Sequence, residues 1–142
     1  MSDTPSFEHA TILVVEDARI MRHLMGRYLR QCGFTSVLEA TNGVEALEVL
    51  RAQPVDLVIL DILMPEMDGY ETLAAIRADE GLRRIPVIMI TSVDDIESVA
   101  RCIEMGAEDY MPKMFNPILL KCRINACLER RYWKEKALAT GA

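Results

Sequence analysis

Histidine is nearly missing from this chain, and paired cysteines are missing altogether. Only His9 and His23 are present, and Cys32, Cys102, Cys122 and Cys127 contain no Cys-x-x-Cys spacing. A zinc site draws thiolates paired at short spacing, with histidine or further cysteine close by. The four cysteines are therefore expected as free, buried thiols in a reducing cytosol. No glycine-rich loop follows the first apolar run, which argues against P-loop or dinucleotide binding. No apolar run approaches the roughly 20 residues that cross a bilayer. Residues 1–10 are polar, without the apolar core of a secretory signal. The expectation is a cytoplasmic protein with no membrane partner. Basic excess is missing too. A net charge of −6 leaves no large cationic footprint, so direct nucleic-acid binding is not expected.

What the chain does have is the length and composition of one ordinary domain. It holds 142 residues, 51% apolar and 27% charged, enough for a single core. Its pattern is repetitive. Thr11-Ile-Leu-Val-Val15 is a short, largely β-branched run ending in acid, which predicts a buried strand. Met21, Leu24, Met25 and Tyr28 then recur at helical spacing, and Gly33 stops that helix. Residues 36–39 predict a weaker strand, and Val44, Leu47 and Leu50 a second helix. Residues 56–60 read as a central strand covered on both faces, followed by a loop punctuated by Pro65 and Gly69. Tyr70, Leu73 and Ile76 mark a third helix, and residues 85–90 a fourth strand, with Pro86 tolerable near its start. Ile96, Val99, Ala100 and Ile103 form a fourth apolar stripe, closed by Gly106. Residues 109–111 predict a fifth strand. Asn116 as N-cap and Pro117 at the first helical position announce the last helix. Strict alternation with short loops implies a parallel sheet wrapped by helices on both faces, a doubly wound α/β domain.

In such a sheet the functional crevice lies beyond the carboxyl ends of the strands. Glu16 and Asp17 follow the first strand, Asp61 the third, Thr91 and Ser92 the fourth, and Lys113 the fifth. Singly, each has an ordinary reading: Asp17 as a helix cap, Asp61 as a turn residue, Thr91 as a strand end, Lys113 as a surface lysine. Together they form a chemically complete set. Three converging carboxylates raise one another's pKa, and a hard cation such as Mg²⁺ resolves the conflict with oxygen ligands. Asp61 is then an anionic nucleophile, with Lys113 and the Thr91 hydroxyl stabilising the oxygens of an incoming phosphoryl group.

These residues resemble the receiver domains of bacterial two-component response regulators. The likeness runs from about residue 11 to residue 128. It rests on Ile12-Leu-Val-Val-Glu-Asp17, Asp56-Leu-Val-Ile-Leu-Asp-Ile-Leu-Met-Pro-Glu-Met-Asp-Gly69, Ile88-Met-Ile-Thr-Ser92 and Gly106-Ala-Glu-Asp-Tyr-Met-Pro-Lys113. The resemblance implies a flavodoxin-like five-stranded parallel sheet, order 2-1-3-4-5, with five helices. It implies a receiver domain over 11–128, preceded by a disordered tail over 1–10 and followed by a helical extension or linker over 129–142. Asp61 is implied as acceptor of a phosphoryl group from the phosphohistidine of a sensor histidine kinase or phosphotransfer protein. Glu16, Asp17, Asp61 and the backbone carbonyl of Leu63 are implied as the Mg²⁺ shell. Thr91 and Lys113 match the switch hydroxyl and the phosphate-binding lysine, and Tyr110 the aromatic switch position. Such a protein is a phosphoacceptor that promotes its own phosphorylation rather than a turnover enzyme.

Three departures or additions bear on that resemblance. Many family members join a proline through a cis peptide after the active-site lysine, but here Met114 follows, and a cis bond there costs ~2.5–4 kcal/mol. Either the fold forces that strain or the loop before Phe115 takes another path. The positions two residues after Asp61 and Thr91 are Leu63 and Val93, apolar and unable to orient a hydrolytic water, so slow autodephosphorylation is expected. The final helix continues through Glu129-Arg-Arg-Tyr-Trp-Lys-Glu-Lys136 and carries Tyr132 and Trp133. The signal is expected to leave through a homodimer, an output domain or a partner protein. The homodimer would use the fourth helix, fifth strand and fifth helix, where Asp109 and Arg123 are spaced like an ion pair of some members, or the extended last helix. Two other readings remain from the residues alone. A phosphorylation-independent receiver-like module is kept open by Met114. A Mg²⁺-dependent aspartyl-phosphate phosphohydrolase is disfavoured by Leu63, where such enzymes often carry a second aspartate.

Overall fold

The apolar runs become strands and the periodic stretches become helices, in strict alternation. The computed structural model describes residues 6–91, 96–113 and 116–140. Along it run β1 (Thr11–Val15), α1 (Arg19–Gln31), β2 (Ser36–Ala40), α2 (Gly43–Ala52), β3 (Leu57–Asp61) and α3 (Gly69–Ala78). They are followed by β4 (Val87–Thr91), α4 (Ile96–Glu104), β5 (Asp109–Pro112) and α5 (Pro117–Ala139). The five strands form one sheet in the order β2-β1-β3-β4-β5, every neighbouring pair parallel.

Burial explains the composition of the strands. The central strands β3 and β4 are buried at every position, as strands covered by helices on both faces must be. Period-two alternation divides their side chains between two cores. Leu13, Val15, Val58, Leu60, Val87 and Met89 face one side, where Ala46, Leu50, Leu73, Ile76 and Cys102 of α2, α3 and α4 cover them. Ile12, Val14, Leu57, Ile59, Ile88 and Ile90 face the other, beneath Met25 and Leu29 of α1 and Leu120 and Ile124 of α5. Cys102 and Cys127 are buried and Cys32 half-buried, but Cys122 is exposed, against the expectation of four buried thiols.

Helix ends follow their local chemistry. Gly33 (φ 100°) and Gly106 (φ 98°) take the left-handed conformation just beyond α1 and α4, which glycine adopts without steric cost. The side chain of Asn116 accepts from the backbone N–H of Ile118 at 2.8 Å, capping α5. Residues 6–10 are not a free tail. Phe7 meets the Tyr132 ring edge-on at 6.4 Å, and the Glu8 carbonyl accepts from the Thr35 amide.

The stripe on α4 behaves differently from its pattern. Ile96 is 87% exposed and Ile103 49%, Ala100 is exposed, and Val99 only half-buried. Cys102 alone on this helix is buried. The helix packs against β5, the edge strand, and an edge offers too little surface to cover a whole apolar stripe. Beside it, Arg123 Nη1 of α5 donates to Asp109 Oδ1 of β5 at 2.7 Å.

Gly69 shows how tightly the fold constrains the loop after β3. A Cβ there would lie 2.6 Å from the Ile62 Cα, and the Asp61 carbonyl would be nearer still. The N–H of Gly69 donates to the Ile62 carbonyl at 2.8 Å. Gly69→Ala is expected to lower stability by about 1–3 kcal/mol through overpacking, read as a fall in the thermal unfolding midpoint. An unchanged midpoint would show that α3 can step back from β3.

Candidate functional site

Parallel register brings four strand ends together. Asp61 closes β3 and stands beside Ile90 of β4, and Thr91 stands beside Pro112 of β5. The amide of Lys113 donates to the Thr91 carbonyl at 2.9 Å, fixing where the lysine leaves the sheet. On the other side, the amide of Glu16 donates to the Ala40 carbonyl at 3.1 Å and extends the pairing of β1 one residue further. Glu16, Asp61 and Thr91 are buried, while Asp17 is exposed at the mouth.

One carboxylate oxygen from each of Glu16, Asp17 and Asp61 lies within 4.8 Å of the other two. Lys113 Nζ reaches Glu16 Oε1 at 3.0 Å in a hydrogen bond and lies 3.2 Å from Asp61 Oδ2. That second approach is an ion pair without hydrogen-bond alignment, so both Asp61 oxygens are buried with no hydrogen-bond donor among the described residues. Burial, then the neighbouring Glu16 carboxyl, pushes the Asp61 carboxyl up to about 7, against the opposing pull of Lys113. Burial works against the Lys113 ammonium, but Glu16 and Asp61 outweigh it and hold its pKa above the ordinary value.

Two unsatisfied, buried carboxylate oxygens are costly in isolation. A divalent cation with oxygen ligands fits them: the donors are hard, the cluster is compact, and one carboxylate opens to water, as Mg²⁺ requires when it keeps part of its hydration shell. Among the described residues, Glu16, Asp17 and Asp61 are the side chains able to hold it.

The loop following Asp61 is shaped by its own chemistry. Glu66 adopts φ 66°, an uncommon conformation for a side-chain-bearing residue, and the Met67 amide closes a tight turn onto the Pro65 carbonyl at 2.7 Å. Asp68 caps α3, accepting from the Glu71 amide at 2.8 Å, while the Glu71 side chain returns to accept from the Asp68 amide in a capping box. Asp68 and Gly69 thus start a helix hard against the site. Leu63 lies within this loop with its side chain 56% exposed. Tyr110 is half-buried on β5, against the core. Ser92, Val93 and the Lys113–Met114 peptide lie outside the described residues.

Arg22 is the residue that pattern reading overlooked. Its Nη1 donates to the backbone carbonyl of Glu16 at 2.9 Å and, at the limit of hydrogen-bond length, to that of Asp17 at 3.5 Å. Its Nε sits 3.7 Å from Glu39. The arginine pins the loop that carries two of the three carboxylates. A basic residue one turn into the helix after an acid pair was the available signal.

A parallel α/β sheet with an acidic cluster and a lysine beyond its carboxyl edge defines a class, and comparison with known proteins says which. The response regulator receiver domain model matches residues 12–125, and the chain belongs to that family. It is similar to the chemotaxis protein CheY of Pseudomonas aeruginosa, 36% identical over 119 residues, which are 84% of this chain and 96% of that protein. It is 38% identical to a probable transcriptional regulator, ycf27, of Cyanidium caldarium over 84% of this chain and 46% of that protein. The chain therefore spans under half the length of that relative. Among solved structures, it is similar to the receiver domain of a sensor histidine kinase of Pseudomonas aeruginosa. That match has TM-score 0.77 and 28% identity over 84% of this chain and 98% of the other, which carries a magnesium ion in its active-site cleft. No described helix is long and apolar enough to cross a membrane.

Proposed function

We propose that Asp61 is the phosphoacceptor of a two-component signalling switch, charged by the phosphohistidine of a sensor kinase or phosphotransfer protein. The observation that carries this reading is the pair of buried Asp61 oxygens with no hydrogen-bond donor among the described residues, 3.2 Å from the Lys113 ammonium at the nearer one. An Asp61 oxygen attacks phosphorus, the P–N bond to imidazole breaks, and the imidazole leaves as a neutral base after proton uptake. Glu16, Asp17, Asp61 and the Leu63 carbonyl would hold a Mg²⁺ ion, which would supply neutralisation of the phosphoryl charge. Lys113 exchanges its carboxylate contacts for a phosphoryl oxygen, and the Thr91 hydroxyl donates to another. Both interactions grow as negative charge arrives, which is where they stabilise the transfer.

The drawn-in Thr91 frees space for Tyr110 to turn inward on β5. The change is read on the surface formed by α4, β5 and α5, where Ile96 and Ile103 stand exposed and suit burial by a partner. That partner is a second copy, an output domain or a separate protein.

The test is mass spectrometry after incubation with Mg²⁺ and acetyl phosphate. The wild type is expected to gain one phosphoryl group and Asp61→Ala none. Equal labelling of the two would remove Asp61 from its role. Because Leu63 presents no polar group to a hydrolytic water, the adduct is expected to last minutes or longer. Decay within seconds would reject that part, and repeated turnover of acetyl phosphate would favour a phosphohydrolase.

A further inference from the structure

A sizeable cavity stands apart from the acidic site. It lies at the opposite edge of the sheet, between the chain entering β4, the turn before β5 and the outer half of α5, and holds about 530 Å³. Small-molecule sites span roughly 300–1,000 Å³. Its lining contains six cationic side chains, those of Arg77, Arg83, Arg84, Arg130, Arg131 and Lys134, against two acids, Glu108 and Glu135. A lining of net +4 stands out in a chain of net −6.

Half of those cations are already committed. Arg77 donates to the carbonyls of Gly106, Arg83 and Ile85 at 2.7–3.0 Å, clamping the strand entries together. Arg131 pairs with Glu135 at 3.0 Å and donates to the Asp56 carbonyl at 2.9 Å. Arg130 stands 3.8 Å from Glu108. Both acids are therefore matched. Arg83, Arg84 and Lys134 have no acidic partner among the described residues, and all three are exposed. Pro86 and Leu138 add an apolar wall beside them.

Like charges gathered around a hollow repel one another, and an anion with several charges relieves that repulsion. Guanidinium forks match phosphate oxygens two at a time. A concave site of this size suits a small ligand, while the acidic remainder of the chain repels a long polyanion. We propose that this cavity binds a phosphate-bearing small molecule of nucleotide size. Arg83, Arg84 and Lys134 hold its phosphate chain, and its less polar part rests against Pro86 and Leu138. The site is separate from Asp61, so phosphorylation and ligand binding are tested independently.

The experiment is calorimetric titration of the full chain with ADP in EDTA at about 0.15 M salt. Saturable one-to-one binding is expected. Affinity is expected to fall about tenfold or more in Arg83→Glu/Lys134→Glu, with phosphorylation by acetyl phosphate unchanged. The milder Arg83→Gln/Lys134→Gln gives the same ordering if charge reversal disturbs the fold. Affinity unaltered in both variants overturns the proposal. So does failure of ADP and of inorganic tripolyphosphate to saturate the wild type, or binding of a single-stranded oligonucleotide in place of ADP.

Discussion

Asp61→Asn is expected to make the metal-free protein more stable than the wild type above pH 7, by on the order of 2–4 kcal/mol. The folded chain holds the Asp61 carboxyl at about 7, against its ordinary 3.8. Between those values the native state keeps a proton that the unfolded chain has released. The stability belonging to this group is thus fully present below pH 3.8 and is lost as pH rises through about 7. Asparagine, uncharged at every pH, escapes that loss. The gap between variant and wild type should open from pH 4 upward and level off above 7, measured by urea unfolding in EDTA. Mg²⁺ should narrow it from the wild-type side, since a ligand at a hundred times its Kd stabilises by about 2.7 kcal/mol. A gap independent of pH would mean that Asp61 is ionised without penalty in the fold.

Lys113→Met should act in the opposite direction. Lys113 Nζ is the cation standing 3.0 Å from Glu16 Oε1 and 3.2 Å from Asp61 Oδ2, and removing it leaves two buried carboxylates facing each other. Breaking a buried pair costs about 3–5 kcal/mol. The lysine side chain is 22% exposed and Asp61 can take up a proton, so about 2–3 kcal/mol is expected above pH 7 and less in acid. Phosphorylation by acetyl phosphate should slow by about 10²-fold. A variant as stable as the wild type at pH 8 would place the balancing charge elsewhere.

Much of the site was legible because strand ends are legible. Apolar runs stop abruptly at Glu16, Asp61, Thr91 and Lys113, and the geometry of a parallel sheet carries such stops to one edge. Asp68 and Gly69 were readable as loop punctuation, but their physical work was not. Only the packed loop shows Asp68 capping α3 and Gly69 pressed against the end of β3. Arg22 escaped for a related reason. Its partners are backbone carbonyls, and backbone acceptors leave no mark in a sequence.

The stripe on α4 shows where periodicity fails. Ile96, Val99, Ala100 and Ile103 have the spacing of a buried face, but spacing says only that one side of a helix is apolar. Whether that side is covered depends on how much sheet lies beneath it, and β5 is the edge.

The sequence by itself determined the α/β alternation, the two-sided covering of the central strands and the residues at their carboxyl ends, because each is written in neighbouring residues. Tertiary structure alone decided that the Asp61 oxygens lack a donor among the described residues, that the α4 stripe faces outward, and that Arg83, Arg84 and Lys134 surround one hollow. Those facts depend on which distant segments meet. Burial and Coulomb energy act through space, and no local pattern of residues records the distances across which they act.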